Sequence, residues 1–132
     1  MINVESFLSP MLTARGHPFV LRDLDSDTIL ATAVEAAFDS SSRRRGLLGR
    51  TEFVNGAALI IAPCSAIHTC FMRMDIDVVF VARGGRTLKT YSSLRPWHAG
   101  FAIGAFAAIE LPAGTLIRSH TKRGHQVALT PS

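Results

Sequence analysis

The chain has 132 residues, of which 48% are hydrophobic and 18% are charged, and its formal net charge is +4. This length is typical of a single domain that buries roughly two-thirds of the surface of its unfolded chain, and the composition excludes an intrinsically disordered protein. The charge is uneven, because residues 53–132 carry eight basic side chains and only three acidic ones, Asp75, Asp77 and Glu110. An anionic partner would therefore be attracted to the later part of the chain.

The first residues do not show the pattern of a secretory signal, since no basic residue precedes Arg15 and no apolar run is sustained. The longest apolar stretch, residues 99–109, is shorter than the roughly 20 residues that a membrane-spanning helix needs. We therefore expect a soluble, cytoplasmic protein that does not enter a membrane. In that compartment Cys64 and Cys70 would be free thiols.

The N-terminal part has no clear periodicity, so we expect residues 1–16 to form an arm of uncertain order and residues 17–132 to form a single β-rich domain. The first two predicted strands are Pro18–Leu24 and Thr28–Ala37, separated by a turn at the letters DSD. The alanines of the second segment leave a helix over Ile29–Phe38 open as an alternative.

A short helix is predicted next in DSSSRRRGLLGR, residues 39–50, because its serines are good N-cap residues. Short apolar segments bounded by Gly, Pro, Asn or Ser follow, and they predict the remaining strands: GAALIIAP, IHTCFM, DIDVVFVA, RTLKTYSS, FAAIELP and HQVALT. A second short helix is predicted in PAGTLIRSHTKRG, and Gly84-Gly85 predicts a hairpin.

These elements predict a mainly β (α+β) fold. We expect a single small, barrel-like, largely antiparallel sheet of about six to eight short strands with two short helices, because closure of a sheet removes its exposed edges.

The segment AIHTCFM, residues 66–72, contains the side chains with the most evident chemistry. If it is a strand, His68, Cys70 and Met72 share one face. A zinc site of Cys64, His68 and Cys70 has an unusual spacing, because structural zinc sites usually pair cysteines two to four residues apart. A nucleophilic cysteine with His68 as its base is also disfavoured, since about 7 Å separates side chains two positions apart on a strand. Small buried cysteines are the favoured interpretation.

Weak nucleic-acid binding, or a structural role for the arginine-rich surface, is a second alternative. The side chains that would serve it are Arg43, Arg44, Arg45, Arg50, Arg95, Arg118, Lys122 and Arg123, with Trp97, Phe101 or Phe106 as stacking surfaces. A charged helix face is more often simply solvated, so nucleic acid is the less favoured partner.

Two carboxylates, Asp77 and Glu110, interrupt the apolar segments DIDVVF and AAIELPAG. Buried carboxylates are seldom left unpaired. In a structural interpretation they cap turns or pair with Arg50 or Arg73. In a functional interpretation they lie at the mouth of a pocket with His68, Thr69 and Met72.

The same segments resemble the successive motifs of the family known only as domain of unknown function 192. The resembling segments are RRRGLLGR (43–50), ALIIAPCSAIHTCFMRMDIDVVFV (58–81), LRPW (94–97) and IELPAGT (109–115). The resemblance implies a small, mainly β, barrel-like domain with short helices, and no established activity. The recurring positions that it implies are Arg43, Gly46, Leu47, Arg50, His68, Thr69, Met72, Asp77, Glu110, Leu111, Pro112 and Gly114.

The chain departs from the resembling family at three positions. Leu48 replaces a frequent methionine, Cys70 replaces an aromatic residue, and Asp75 replaces a proline. A nucleophile essential to a shared activity would not occupy a position that the family fills with phenylalanine, so Cys70 is disfavoured as a catalytic residue.

We therefore expect a binding module for a small polar or anionic ligand, without a metal or a cofactor. The predicted pocket is bordered by Arg50, His68, Thr69, Met72, Asp77 and Glu110. An enzyme that uses His68, Asp77 and Glu110, such as a hydrolase, is the first alternative.

Overall fold

The computed structural model describes residues 6–13 and 18–132. In this part of the chain it has ten strands and three short helices. In chain order they are α1 (Ser9–Thr13), β1 (Phe19–Asp23), β2 (Thr28–Ala31), β3 (Ala33–Ala37), α2 (Ser40–Arg45), β4 (Ala57–Ile61), β5 (Ala66–His68), β6 (Ile76–Val81), β7 (Thr87–Leu94), β8 (Ala99–Phe101), β9 (Ala107–Pro112), α3 (Thr115–Ser119) and β10 (Val127–Pro131). The predicted mainly β fold is confirmed.

The described strands form three sheets, with the orders β10-β1-β2, β3-β4-β9-β6-β7 and β5-β8. All strand pairs are antiparallel except β3 and β4. Parallel neighbours need a crossover connection, and here it contains α2. The strands are largely antiparallel, as the sequence predicts, but they form three sheets instead of the predicted single one and number more than the predicted six to eight.

The five-stranded sheet is covered on both faces. Every residue of β6 and β9 is buried, and alternate side chains enter two separate apolar clusters. Val79 and Ile109 belong to the first cluster, which lies between the five-stranded sheet and β1, β2 and β10. Val78 and Phe80 belong to the second cluster, on the opposite face, beneath α2 and the β5-β8 sheet. Near-continuous apolar sequence in β6 predicts this double coverage.

Part of the expected N-terminal arm packs on the first cluster. Phe7 and Leu8 are buried there, and the amide of Phe7 donates a hydrogen bond to the carbonyl of Arg83 at 2.9 Å. The rest of the predicted arm, residues 1–5 and 14–16, lies outside the described residues. No helix within residues 6–13 and 18–132 is long and apolar enough to cross a membrane.

The predicted strand Thr28–Ala37 is two strands in two sheets, so the continuous strand and the alternative helix are both wrong. The amides of Thr32 and Ala33 both donate to the carbonyl of Gly56, at 2.8 and 2.9 Å. This contact turns the chain from β2 into β3. Helix α2 has Asp39 as its N-cap instead of a serine, because the Asp39 carboxylate accepts from the amide of Ser42 at 2.7 Å.

The predicted strand over IHTCFM is also wrong beyond His68. The chain turns after β5, with the amide of Met72 donating to the carbonyl of Thr69 at 3.1 Å and Phe71 at a φ of 67°. His68, Cys70 and Met72 therefore do not share a strand face.

The predicted hairpin and the second predicted helix are confirmed. Gly85 has a φ of 94°, its amide donates to the carbonyl of Ala82 at 2.9 Å, and a Cβ there would collide with the carbonyl oxygen of Val127. Only glycine fits this turn between β6 and β7.

Candidate functional site

An open groove of about 650 Å³ lies on the side of the second apolar cluster. One wall is α2 with the turn that follows it, and the other wall is the segment between β4 and β5 with β5 itself. The lining residues are Ser40, Arg43, Arg45, Gly46, Leu47, Leu48, Ile61, Pro63, Cys64, Ser65, Ala66, Ile67, His68, Met72 and Glu110.

Glu110 is the buried carboxylic acid of the groove. It lies in the middle of β9, between Leu59 of β4 and Val78 of β6, and it is 3% exposed. Strand alternation places it on the face of the second apolar cluster, where its Oε1 atom has no hydrogen-bond partner in the described part of the chain. An unpaired buried polar atom of this kind costs about 1–3 kcal/mol, so the groove contains a destabilising group that a ligand could satisfy.

Burial raises the pKa of Glu110 to about 7, and the positive charge of Arg50 opposes this rise. The apolar strands around the carboxyl group disfavour its charged form. Glu110 is therefore partly protonated at neutral pH and can both donate and accept a hydrogen bond.

Arg50 lies near Glu110 but is bound to a different carboxylate. Its two terminal nitrogens contact the two oxygens of Glu35, at 2.7 and 3.2 Å, in a bidentate pair. Glu35, Leu59 and Glu110 form one row across β3, β4 and β9, so the backbones of Glu35 and Glu110 are about 10 Å apart, two strand spacings. The hydrogen bond from Arg50 lowers the pKa of Glu35, whereas Arg50 influences the pKa of Glu110 only through the charge of its guanidinium group.

Arg43 and Arg45 supply positive charge at the α2 wall. The Arg43 guanidinium donates to the carbonyl of Phe38 at 2.7 Å and to the hydroxyl of Ser40 at 3.4 Å. Because a guanidinium has five N–H groups, these bonds orient it and leave donors for an anion. Arg45 is exposed. The groove therefore combines an anion-attracting wall with a weakly acidic carboxyl group.

Cys64 lies in the opposite wall, and its thiol donates to the carbonyl of Ala66 at 3.2 Å. Burial raises the pKa of the Cys64 thiol, and the negative charge of Glu110 raises it further. The hydrogen bond to Ala66 and the positive charge of Arg43 act in the opposite direction but do not cancel the rise. A raised pKa leaves little thiolate at neutral pH, and thiolate is the nucleophile. Cys64 also packs against the second apolar cluster, but both Cys64 and Cys70 are only half-buried, so neither is the fully buried hydrophobe that the sequence predicts.

His68 ends β5, and its side chain is exposed at the groove. Its Nδ1 atom accepts a hydrogen bond from the amide of Cys70 at 3.3 Å, so the neutral ring carries its proton on Nε2. The Nε2–H group is the one that can donate to a ligand. Met72 completes the groove as a buried apolar contact.

Thr69 lies outside the groove and joins two loops. Its hydroxyl accepts from the amide of His98 at 2.9 Å and donates to the carbonyl of Arg95. Its own amide donates to the carbonyl of His98 at 2.8 Å. Thr69 is fully buried and therefore fixes the loop that follows β5.

Asp77 lies on the face of the sheet opposite to Glu110. Its two oxygens accept from the amides of Ser93 and Leu116, both at 2.8 Å. Asp77 pairs with Leu111, whose side chain belongs to the first apolar cluster, whereas Glu110 pairs with Val78 of the second cluster. These contacts fit the structural interpretation of Asp77, which holds β7 and the start of α3 in place.

The structure therefore brings His68, Met72 and Glu110 together in the groove and places Thr69 and Asp77 elsewhere, with Arg50 acting at a distance. The sequence interpretation did not place Arg45, Ser40 or Ser65 at the site; only the position of the RRRG motif within the family resemblance points to this wall. Within residues 6–13 and 18–132 no three His, Cys, Asp or Glu side chains lie close enough together to hold a metal ion.

The fold and the groove define a small, mainly β domain with a carboxyl group buried at an open, cationic groove. Residues 22–129 match the sequence model of DUF192, described as "Uncharacterized ACR", and the chain belongs to this family. The predicted family resemblance is confirmed. No curated protein has a sequence that matches this chain significantly.

Two solved structures share the fold. A protein of unknown function from Novosphingobium aromaticivorans DSM 12444 is 21% identical, with a TM-score of 0.72 over 87% of this chain and 88% of that chain. A protein from Sinorhizobium meliloti 1021, described as "a putative transcription regulator", is 19% identical, with a TM-score of 0.74 over 86% of this chain and 92% of that chain. At these identities the likeness concerns the fold alone.

Proposed function

We propose that the protein is a binding module for a small anionic ligand that occupies the groove and forms a hydrogen bond with Glu110. The observation that carries the proposal is the Oε1 atom of Glu110, which is buried at the groove without a partner among the described residues. A ligand polar group at this position would remove the cost of the unpaired atom.

The anionic character of the ligand follows from the charges around the groove. Arg43 and Arg45 line it, and Glu110 does not strongly repel an anion because burial raises its pKa to about 7. Leu47, Ile61 and Met72 supply apolar contacts. A small carboxylate with an apolar body matches all three properties of the groove.

A titration of small ligands tests the proposal. The probes are acetate, benzoate and inorganic phosphate, with benzamide as the uncharged match for benzoate. We expect benzoate to shift the backbone NMR signals of Ala66, Ile67 and Glu110 in a saturable manner, and benzamide to shift them much less. The proposal fails if no anion perturbs these signals below about 10 mM, which corresponds to a binding free energy of only about −3 kcal/mol.

Two variants locate the binding. Arg43→Gln removes one of the two arginines that line the groove and should weaken benzoate binding by about tenfold, because a charged hydrogen bond contributes about 1.5–3 kcal/mol. Arg123→Gln removes an exposed cation that does not line the groove and should leave the affinity unchanged. Equal weakening by both variants would mean that the anion responds only to the net charge of the protein.

A second candidate function is an enzyme in which Glu110 acts as a general acid or base. The supporting observation is that a carboxyl group with a pKa near 7 lies in a concave site with His68. Asp77 has no part in this version, because two backbone amides occupy its oxygens on the other face of the sheet. Glu110→Gln separates the candidates: it would abolish turnover in an enzyme and preserve anion binding in a binding module.

A cytoplasmic location remains part of the proposal and is tested by fractionation of cells that express the tagged full chain.

A further inference from the structure

Four large apolar side chains are exposed around the short strand β8, apart from the groove residues. They are Phe71, Trp97, Phe101 and Ile103, and each is more than half exposed. The rings of Phe71 and Trp97 contact each other with centroids 4.6 Å apart and planes tilted by 58°. We call these four residues the aromatic ridge. A soluble domain seldom exposes such a group without a function.

The backbone holds two residues of the aromatic ridge in an unfavourable conformation. Phe71 and Trp97 have φ values of 67° and 65°, in the left-handed region that bulky side chains rarely adopt. Thr69 imposes this geometry, because its carbonyl accepts from the amides of Met72 and Trp97 at 3.1 and 3.0 Å. Such strain costs about 1–3 kcal/mol per residue and is typical of functional loops.

Positive charge accompanies the rings. The ammonium group of Lys89 lies 4.5 Å from the centroid of Phe101 and 5.0 Å from that of Tyr91. Arg73 and Arg95 are exposed, and each is two residues from a ring of the Phe71–Trp97 pair. The aromatic ridge therefore places cations beside flat apolar surfaces.

Few acidic side chains lie in the same part of the chain as these cations. Residues 53–132, all of which the structure describes, contain Asp75, Asp77 and Glu110, and the last two are buried. Asp75 is the one exposed acidic side chain in this part of the chain, and it is two residues from Arg73. The part of the chain that carries the aromatic ridge therefore has an excess of positive charge, which favours a polyanion as the partner.

We propose that the aromatic ridge binds single-stranded nucleic acid, with bases stacked on Trp97 and Phe101 and phosphates held by Lys89 and Arg95. Aromatic side chains in a cationic surface are the common means of binding such strands without sequence preference. Trp97 and Phe101 are four residues apart, so at most about 14 Å of extended chain separates them. Both rings can therefore serve one short stretch of the same strand.

A lipid surface fits the aromatic ridge less well. The sheet of β5 and β8 has only two strands among the described residues, so the outer edge of β5 has no strand partner. On the outer edge of β8, the amide of Phe101 donates to the Tyr91 hydroxyl at 3.0 Å, and that hydroxyl donates to the carbonyl of Phe101 at 3.1 Å. Unpaired backbone groups are costly in hydrocarbon, whereas a hydrated nucleic acid leaves them in water. Duplex nucleic acid is also disfavoured, because its bases are already stacked on one another.

Trp97 provides a direct assay because it is the single tryptophan of the chain. Titration with an oligothymidylate of about 15 nucleotides at about 20 mM salt should quench its fluorescence in a saturable manner. The affinity should fall as salt rises, because each phosphate contact to a single strand contributes a slope of about −0.7 to the logarithmic plot. The same length of duplex and vesicles with and without phosphatidylserine complete the set of probes.

Variants at the left-handed positions test the rings without adding backbone strain. Phe71→Asn and Trp97→Asn remove a ring but keep a residue that tolerates a positive φ. Measured with a fluorescently labelled oligothymidylate, Trp97→Asn should weaken binding by about fivefold to a hundredfold, as expected for the loss of one stacked base. Phe71→Asn should weaken binding to a smaller extent, because Phe71 packs against the ring of Trp97 and is not itself proposed to stack a base. Ile117→Ser is the matched control, because Ile117 is also exposed but lies on α3, whose buried Leu116 belongs to the first apolar cluster.

The outcomes decide between partners. Saturable quenching that the ring variants reduce and Ile117→Ser leaves intact supports the proposal. The proposal is overturned if the oligothymidylate does not bind at low salt, if the duplex or the anionic vesicles bind more tightly, or if the ring variants, shown to be folded by circular dichroism, bind as well as the native chain. None of these results depends on whether the groove binds a small anion.

Discussion

The replacement Glu110→Gln should change how the stability of the protein depends on pH. Burial raises the pKa of Glu110 from its ordinary value of 4.5 to about 7. A carboxyl group with a raised pKa favours the folded state fully below pH 4.5, where it is protonated in both states, and this advantage is lost as the pH rises to 7. Above pH 7 the native protein holds a buried, poorly solvated charge that glutamine does not carry.

The size of the effect follows from the two pKa values. A difference of about 2.5 pKa units multiplied by about 1.4 kcal/mol per unit gives roughly 3 kcal/mol. The free energy of unfolding of the native chain should therefore fall by about 3 kcal/mol relative to that of the glutamine variant between pH 4.5 and pH 8. Below pH 4.5 the difference between the two proteins should be constant.

Urea denaturation of both proteins at half-unit steps from pH 4 to pH 8.5 measures this difference. The subtraction removes groups that titrate equally in both proteins, and a carbon-13 NMR titration of the Glu110 carboxyl gives its pKa independently. If the free energies of unfolding of the two proteins changed in parallel with pH, and the Glu110 carboxyl group titrated near pH 4.5, burial beside the second apolar cluster would not be what sets the pKa of Glu110.

Three further changes test the surrounding network. Glu35→Gln releases the guanidinium of Arg50, so the pKa of Glu110 should fall, as seen in the same NMR titration. Asp77→Asn leaves one of two buried amides without a good acceptor and should lower the free energy of unfolding by about 2 kcal/mol in urea denaturation. Burial alone would raise the pKa of Asp23, but its hydrogen bonds, above all the one from His125, outweigh burial and lower the pKa below its ordinary value of 3.8. The stability that Asp23 contributes is therefore present above pH 3.8 and is lost as the pH falls further. Asp23→Asn should therefore make the free energy of unfolding less dependent on pH in the acid range, as measured by urea denaturation.

Two of these changes, Glu35→Gln and Asp77→Asn, have a matched control. Glu52→Gln removes an exposed carboxylate that forms no hydrogen bond or ion pair with the described residues, and it should leave the pKa of Glu110 unchanged. Asp27→Asn alters an exposed pair with Arg22 and should change stability by less than about 0.5 kcal/mol, in contrast to Asp77→Asn. A large effect at Asp27 would show that burial does not decide the cost of losing a carboxylate here.

The sequence predicts the central strands well because their signal is local. β6 and β9 are short, nearly continuous apolar runs bounded by turn residues, and both occupy the middle of the five-stranded sheet. The errors arise where distant contacts decide. The chain bends at Thr32 because of the carbonyl of Gly56, and it turns at Phe71 because Thr69 binds the loop at His98. Neither Thr32 nor Phe71 has a neighbouring glycine or proline from which the turn could be predicted.

The candidate site shows the same limit. Asp77 and Glu110 present the same pattern, a carboxylate within an apolar strand, but strand register puts them on opposite faces. The partners of Asp77 are amides 16 and 39 residues away in the chain, which no local pattern reveals. His68 and Met72 both line the groove, although the strand face that was to unite them does not exist, and their contact with a ligand stays a prediction.

Because β3 and β4 are parallel, the groove is built from two parts that differ in local stability, the crossover helix α2 and the central strand β9. The crossover between these strands contains α2, which has only six residues. Its end is held by single hydrogen bonds, such as the one from the amide of Gly46 to the carbonyl of Ser42. In contrast, β9 lies at the centre of a sheet that is covered on both faces. We expect the amide of Gly46 to exchange with solvent deuterium through brief local openings, and that of Ile109 only when the whole molecule unfolds. A ligand could then enter the groove when α2 opens locally, while β9 stays folded.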